Sequence, residues 1–306
     1  MANGSKKNSE EFRQLANGSF QSEGTISARI KASYASPIIV LGQNLNMESL
    51  KFFVRLWHEL GKSGSLTISL SQSQKWVIRL TTESWKDILT VYANYFNALY
   101  GENFIALQKL NLIRELSQLK DDNSRIQLIK LVYSLAISGN KRLLPLKDQL
   151  SLWNLPYDGN PEPDTKFKDN KLLPNFPFIL GFLLGDGSLF IRIRLVENSI
   201  RLIPALLLPQ KSMESNKQFF NLLNRYFQSL NVTSFIVNNN QGMTILNVEG
   251  SNNIFMKLVP LFKEYAHFGY WKSDQISLLL EFAHYVSSGV HLTRQGLIAV
   301  LKIIYS

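Results

Sequence analysis

The stretch "FILGFLLGDGSLFIRIR" (178–194) changes its hydrophobic period at its centre. Up to Gly185 its residues are apolar or small, which is typical of a buried helix. After Gly187 it alternates like a strand, with one face formed by Leu189, Ile191 and Ile193 and the other by Phe190, Arg192 and Arg194. A single acid, Asp186, therefore lies between a buried helix and a strand that carries arginines on one face.

The composition limits the classes of protein to which the chain can belong. Its 306 residues are enough for one large domain or two smaller ones. The absence of cysteine excludes disulfide frameworks, thiolate zinc sites and cysteine nucleophiles. The formal net charge of +10 favours a polyanionic partner, with nucleic acid ahead of an anionic membrane surface. No run of 18 apolar residues occurs, so we expect no membrane-spanning helix and no membrane partner.

The change from helix to strand occurs a second time near the N-terminus, in "LANGSFQSEGTISARIKAS" (15–33). The two stretches align without a gap, and the matched pairs are Gly18 with Gly181, Ser22 with Gly185, Glu23 with Asp186, and Gly24 with Gly187. The strand that follows alternates in the same phase in both copies. The similarity therefore indicates an internal duplication.

The parallel continues along both halves, each of which reads as a helix, two strands, a helix, two strands and further helices. At the end of the halves, 136–153 parallels 286–305. Between them, 156–174 contains Pro, Gly and charges without a period, as a linker does. We therefore predict an α+β fold, a pseudo-twofold tandem duplication of αββαββα(α) units, with halves at 12–155 and 175–306. Two antiparallel β-sheets would form a saddle for DNA.

Small residues recur at spacing i, i+4 in both first helices, at Gly18 and Ser22 and at Gly181 and Gly185. Such faces let two helices pack with their backbones close together. If these two helices pack against each other, Glu23 and Asp186 lie side by side at the negative ends of the helix dipoles and repel each other. A divalent cation relieves that repulsion, and oxygen ligands suit Mg²⁺ or Mn²⁺.

Basic and polar side chains on the strands supply a surface for nucleic acid. The predicted DNA-binding residues are Ser27, Arg29, Lys31, Lys75, Arg79, Phe190, Arg192 and Arg194. Two strands in line, each of roughly 26 Å, would cover roughly 15 base pairs of duplex. β-Ribbons fit the major groove, where base edges are distinguishable. The carboxylates would then face the phosphates in the middle of a long target site.

These residues carry a resemblance to a known family. "FILGFLLGDG" and "LANGSFQSEG" resemble the two signature helices of the LAGLIDADG homing endonucleases, in the monomeric two-motif form. The order of elements is similar from about residue 12 to residue 305. The resemblance implies a single chain that cleaves both strands of a long double-stranded DNA target with Mg²⁺. It also implies that Mn²⁺ can substitute and that Ca²⁺ binds without supporting cleavage.

The resemblance also implies roles for individual residues. The last acids of the motifs, Glu23 and Asp186, are predicted metal ligands, and the residues before them, Ser22 and Gly185, complete the predicted metal site. Further catalytic roles fall on four side chains outside the motifs. Gln43 and Gln210 match positions that orient the nucleophilic water, and Lys272 matches a lysine near the scissile phosphates. Its predicted counterpart in the first copy is Asn103, which puts equal cleavage of the two strands in doubt.

Other interpretations stay open, both for single motifs and for the function of the whole chain. "GDGS" is also a common hairpin turn, and a lone lysine at a helix start is usually only solvated. The same scaffold could serve as an intron-splicing maturase that binds intron RNA, or as a catalytically impaired DNA- or RNA-binding protein. We expect an intracellular protein, and the similarity to organelle-encoded intron proteins of fungi points to mitochondria.

Overall fold

The computed structural model describes residues 2–31, 34–135, 144–197, 199–268 and 271–305. The first copy contains, in chain order, α1 (Ala2–Glu23), β1 (Thr25–Lys31), β2 (Tyr34–Asn44), α2 (Met47–Glu59), β3 (Ser65–Leu70), β4 (Trp76–Thr82), α3 (Trp85–Asp87), a π-helical segment (Ile88–Tyr92), α4 (Ala93–Tyr95), α5 (Gly101–Leu116), α6 (Asp122–Ser134) and α7 (Leu146–Leu152).

The second copy repeats this order. Its elements are α8 (Phe176–Gly185), β5 (Ser188–Val196), β6 (Ser199–Lys211), α9 (Glu214–Ser229), β7 (Ser234–Asn238), β8 (Met243–Glu249), a π-helical segment (Asn252–Leu258), α10 (Val259–Glu264), a 3₁₀ turn (Ala266–Phe268), α11 (Ser273–Ser287), a second 3₁₀ turn (Val290–Leu292) and α12 (Arg294–Tyr305). In both copies a π-helical segment follows the last strand.

The two sheets have the same topology, with strand order β1-β2-β4-β3 in the first sheet and β5-β6-β8-β7 in the second. All pairs are antiparallel. The predicted α+β duplication of helix–two strands–helix–two strands–helices is therefore confirmed. It arises because the alternating segments form two hairpins in each copy, and the second strand of the first hairpin pairs with the second strand of the next one across the intervening helix.

Each sheet packs one face on helices and leaves the other face open. In the first sheet the packed face includes Ile26, Ile39, Ile78 and Leu80, which are buried together with Phe52, Phe53 and Leu56 of α2. In the second sheet it includes Leu206, Leu208, Leu246 and Val248, buried together with Phe219, Phe220 and Leu223 of α9. Period-two alternation sends the neighbouring residues to the opposite surface, which we call the open face.

The compact units of the structure differ from the two sequence copies at the first helix. One unit is Glu23–Asn170, and the other joins α1 to the chain from Lys171 onward. Within the first of these units, residues of the predicted linker are bound to helices. The buried ammonium of Lys130 donates to Asp158 at 2.8 Å, and Asp169 Oδ1 accepts from the backbone N–H of Gly101 at 2.7 Å. The predicted division into 12–155, 156–174 and 175–306 therefore follows the repeat in the sequence and differs from the compact units of the structure.

Local sequence explains where the site helices begin and end. The side chain of Asn175 accepts from the backbone N–H of Phe178 at 3.0 Å and caps α8, with Pro177 in the first turn. All ten residues of α8 are buried, as its apolar sequence predicts. The helix ends at Gly185, and Asp186 is its C-cap residue. Among the described residues, no helix is both long and apolar enough to cross a bilayer.

Candidate active site

The small-residue faces of α1 and α8 lie directly against each other. A Cβ atom built on Gly18 would lie 2.7 Å from the backbone carbon of Phe178 and 2.8 Å from the backbone nitrogen of Phe182. A Cβ atom on Gly181 would meet Leu15 and the backbone nitrogen of Ser19 at 2.8 Å in the same way. Only glycine fits at either position, and the contact is reciprocal. The packing expected from the i, i+4 spacing is therefore present.

Both predicted acidic residues lie at the ends of these helices. Glu23 is the last residue of α1, five residues beyond Gly18, and Asp186 follows α8, five residues beyond Gly181. Asp186 is exposed and Glu23 is half-buried. Ser22 turns its hydroxyl back to the carbonyl of Ser19 at 2.9 Å, so any contribution of Ser22 to a metal site would come from its backbone.

Glu23 and Gln43, which the sequence places 20 residues apart, are in contact. Gln43 Nε2 donates to Glu23 Oε1 at 3.4 Å, and Gln43 Oε1 accepts from the backbone N–H of Asn44 at 2.8 Å. The second bond fixes the amide so that its NH₂ group points to the carboxylate. Of the predicted catalytic residues in the first copy, these two are thus brought together.

Gln210, the predicted counterpart of Gln43, has a different environment. It lies on β6 opposite Thr244 of β8. Its Oε1 atom is buried and has no hydrogen-bond partner among the described residues. The two glutamines therefore occupy equivalent strand positions, but among the described residues only the amide oxygen of Gln43 accepts a hydrogen bond, from the backbone N–H of Asn44.

Lys272 lies at the C-terminal end of α8, beside Asp186. Its ammonium donates to the backbone carbonyls of Leu183, Gly185 and Gly187, at 3.0, 2.6 and 2.6 Å. The carbonyls of Leu183 and Gly185 belong to the last turn of α8, which leaves its carbonyls without partners within the helix and whose dipole attracts a cation. Trp271 adds a bond from Nε1 to the carbonyl of Leu184 at 2.8 Å. The carbonyl of Gly185, a predicted metal ligand, is thus already shared with an ammonium group.

Asn103 occupies a different place from Lys272 relative to its helix. Lys272 precedes the first residue of α11, whereas Asn103 is the third residue of α5. The two side chains nevertheless lie near equivalent glycines, since Lys272 contacts Gly187 and Asn103 lines a cavity with Gly24, so their pairing stays a prediction. Asn103 lines a cavity of about 90 Å³ whose walls also include Gly24, Glu102 and Lys109. Burial lowers the pKa of Lys109, whose ammonium donates to the carbonyl of Ser134 at 3.3 Å.

Comparison with known proteins finds a family that resembles part of the second copy. Residues 179–280 match the model of the LAGLIDADG endonuclease family. The matched residues lie in the second copy and include Asp186 and Lys272. The sequence matches no curated protein.

Solved structures extend the similarity to the whole chain. The LAGLIDADG meganuclease I-CpaMI, solved bound to uncleaved DNA, is 21% identical, with a TM-score of 0.72 over 96% of this chain and 98% of its own. The homing endonuclease I-LtrWI, bound to target DNA, is 14% identical, with a TM-score of 0.76 over 96% of both chains. I-SmaMI, bound to cleaved DNA, is 19% identical, with a TM-score of 0.72 over 95% of both chains. The whole chain thus has the two-motif LAGLIDADG fold that the sequence resemblance predicted.

On the first sheet, the predicted DNA-binding residues differ in how far their side chains are exposed. Arg29 and Lys31 are exposed on the open face of β1, and Ser27 lies on the same face but is only 6% exposed. Arg79, on the same face of β4, is half-buried and donates to the hydroxyl of Ser69 at 2.7 Å. Lys75 is exposed in the turn between β3 and β4. Four of the five side chains can therefore be reached by a ligand on this surface, and Ser27 contributes little area.

On the second sheet, Phe190, Arg192 and Arg194 share the open face of β5. Arg192 is held by an ion pair with Glu249 at 3.0 Å, and its guanidinium lies 5.8 Å from the ring centre of Phe190. Two residues of this face were not predicted from the sequence: Glu249, and Arg201, which is exposed directly opposite Arg194 on β6. The alternation of β6 is the signal that could have identified Arg201.

A metal at the end of either helix would have few protein ligands. Among the residues that the structure describes, no three His, Asp or Glu side chains come together as a metal-binding group. The oxygen donors at the helix ends are single carboxylates and backbone carbonyls. This donor set fits Mg²⁺, which keeps several waters and is commonly held by one or two carboxylates together with substrate phosphates.

Proposed function

We propose that the protein is a site-specific endonuclease that hydrolyses both strands of a long duplex DNA target with Mg²⁺ as cofactor. The observation that carries this proposal is the glycine-to-backbone contact of α1 and α8, with a carboxylate five residues beyond each glycine. A merely structural pair of helices has no need of an acid at both ends, because each acid is unfavourable next to the negative end of a helix dipole.

Each group of residues has a task in this proposal. Glu23 and Asp186 would hold divalent cations, and when bound such cations activate water and stabilise the leaving oxyanion. Gln43, already oriented toward Glu23, would position a water molecule by hydrogen bonding. Lys272 would keep the end of α8 rigid and place a positive charge near a phosphate. The arginines and lysines of the two open faces would hold the duplex.

The known DNA complexes of similar proteins support the choice of substrate. I-CpaMI and I-LtrWI were both solved with DNA, and I-SmaMI was solved with cleaved DNA. One structure of I-SmaMI was solved in the presence of calcium ions on an uncleaved target. By analogy, we propose that Ca²⁺ supports binding without cleavage here and that Mn²⁺ replaces Mg²⁺.

The test uses a library of randomised duplexes. Bound duplexes are first selected in Ca²⁺, and new DNA ends are then sequenced after transfer to Mg²⁺. We expect cleavage at one position within the selected sequence. Asp186→Asn should retain binding in Ca²⁺ and lose cleavage in Mg²⁺, because the amide removes the charge that attracts the cation. Asp148→Asn, which changes an exposed acid on α7, is the matched control and should cleave normally.

Two results would contradict the proposal. Undiminished cleavage by Asp186→Asn would remove the assigned role of that carboxylate. Tight binding of a structured RNA, with no cleavage of any selected duplex by the unaltered protein, would instead identify a maturase-type binding protein. We further propose that the protein acts inside the cell, in the mitochondrion, on the strength of its similarity to organelle-encoded intron proteins.

A further inference from the structure

The open faces of the two sheets differ in chemical character, most clearly on the edge strands β3 and β7 and the strands beside them. On the first sheet the face is rich in hydroxyl groups, from Thr25, Ser36, Ser65, Thr67, Ser69 and Thr81. On the second sheet, beside its arginines, Asn247 and Glu249, the face carries the apolar side chains of Phe190, Ile203, Leu207, Phe235, Val237 and Ile245. This difference is not expected from a simple duplication.

Matched rows across the sheets show where the character changes. When Gln43 is aligned with Gln210, the row Thr67–Arg79–Gly42 corresponds to the row Val237–Ile245–Pro209. A hydroxyl and a guanidinium in the first sheet are thus replaced by two branched aliphatic side chains in the second.

In the neighbouring row only the edge position changes, because Thr81 and Val40 correspond to Asn247 and Leu207. There Ser65 corresponds to Phe235 on the edge strand. Phe235 and Val237 are 45% and 44% exposed, so this apolar surface is open to a ligand.

The same apolar face also carries positive charge. Arg192, Arg194 and Arg201 are exposed on β5 and β6. They lie on the open face, in two adjacent rows of the β5–β6 ladder. An apolar face framed by arginines fits a polyanion that offers apolar groups between its phosphates. Duplex DNA meets this description in the major groove, where the C5 methyl group of thymine is the exposed apolar group.

We propose that the second sheet recognises its half of the DNA target through thymine methyl groups, whereas the first sheet reads its half by hydrogen bonds from hydroxyl groups and Arg79. The half-site of the second sheet is therefore rich in A·T pairs, with thymines at the positions facing Val237 and Ile245. This inference rests on the proposed function and specifies the substrate of the same protein.

The test compares thymine with deoxyuridine, which lacks only the methyl group. Targets are selected in Ca²⁺ from randomised duplexes, and the half-site of the first sheet is identified as the one whose selected sequence changes with Arg79→Ala. Thymines in each half-site are then replaced singly by deoxyuridine, and the dissociation constant is measured. In the half-site of the second sheet we expect affinity to fall by about fourfold for each methyl group that is buried. In the other half-site the same replacement should have little effect.

Two exposed positions provide matched variants. Val237→Ser should abolish the preference for thymine over deoxyuridine at one position without unfolding the protein, since Val237 lies on an exposed edge strand. Thr67→Val, on the corresponding edge strand of the first sheet, should create such a preference in the other half-site.

The possible outcomes separate this inference from the proposal on which it rests. Selected and cleaved duplexes with no A·T bias, or with equal affinity for thymine and deoxyuridine, would overturn the inference and leave the endonuclease intact. Failure to select any duplex would overturn both. Dimers of the free protein that Val237→Ser dissociates would assign the apolar face to a second copy of the chain and overturn the inference as well.

Discussion

Replacing Gly181 by alanine should separate the two LAGLIDADG helices and destabilise the fold. The new Cβ atom would lie 2.8 Å from both the backbone carbon of Leu15 and the backbone nitrogen of Ser19, and closer still to the carbonyl oxygen of Leu15. These are backbone atoms of a helix and cannot rotate away as a side chain would. The helices must therefore move apart, and this loosens the close packing along both buried faces.

The size of the effect follows from two opposing contributions. Forcing a methyl group into a well-packed core costs about 1–3 kcal/mol, and a clash with backbone lies at the upper end of that range. Alanine is favoured over glycine within a helix by about 1 kcal/mol. The net loss in the free energy of unfolding should therefore be about 2 kcal/mol, with a decrease in the Mg²⁺-dependent cleavage rate because the helix ends carry the acids.

Urea denaturation followed by circular dichroism measures the loss. Gly42→Ala is the matched control, because its Cβ atom would meet the flexible side chain of Arg79 at 3.2 Å rather than backbone. This control should change stability by less than 1 kcal/mol.

A double variant tests whether the two glycines form one contact. Gly18→Ala combined with Gly181→Ala should cost less than the sum of the single changes, because helices separated by the first methyl group leave room for the second. Full stability of Gly181→Ala, or strict additivity of the pair, would refute the reasoning that the helices meet at these glycines.

Three further variants test other contacts. Lys272→Met removes three charge-assisted hydrogen bonds at the end of α8 and should lower the free energy of unfolding by about 2 kcal/mol in urea titrations; an unchanged midpoint would contradict the contacts. Burial raises the pKa of Asp169 above 3.8, so its contribution to stability is full below about pH 4 and is lost as pH rises through the folded value. Asp169→Asn should therefore gain stability relative to the unaltered protein as pH rises above about 4 in thermal melts, and a constant difference would count against this sign. Asp158→Asn, which leaves the buried ammonium of Lys130 without its carboxylate, should lower the melting temperature more than Asp164→Asn, an exposed acid of the same segment; equal melting temperatures would argue against the pair.

Periodicity made most of the fold predictable. The strands alternate with period two, and the helices follow the 3.6-residue period, so the order of elements could be predicted for both halves. The i, i+4 small residues also predicted the contact of α1 and α8. In these cases the signal is local, because a helix or strand repeats its pattern over a few residues.

Features that depend on distant contacts were harder to predict. The backbone partners of Lys272 lie 85 to 89 residues away, so nothing near "YWKSDQI" indicates that its ammonium caps α8. The sequence parallel between 136–153 and 286–305 pairs α7 with α12, and part of 136–153 lies outside the described residues. The order of elements suggests a different pairing, because α6 is the helix that follows α5, just as α12 is the helix that follows α11.

The first helix also differs from the sequence interpretation. The resemblance begins at about residue 12, whereas α1 begins at Ala2, in a polar stretch without a hydrophobic period. Packing of its apolar later turns can hold such a helix, and propensity alone does not predict where it starts.

The packing of α1 with the chain from Lys171 onward has a consequence for any attempt to divide the protein into two separate chains. If the chain were split at the linker, α1 and α8 would lie on different fragments. The C-terminal fragment would then expose to water apolar residues of α8, all ten of which are buried in the intact chain. The two fragments would have to associate for the C-terminal one to bury this surface again. A single chain therefore always supplies the partner helix, in equal amount and at high local concentration.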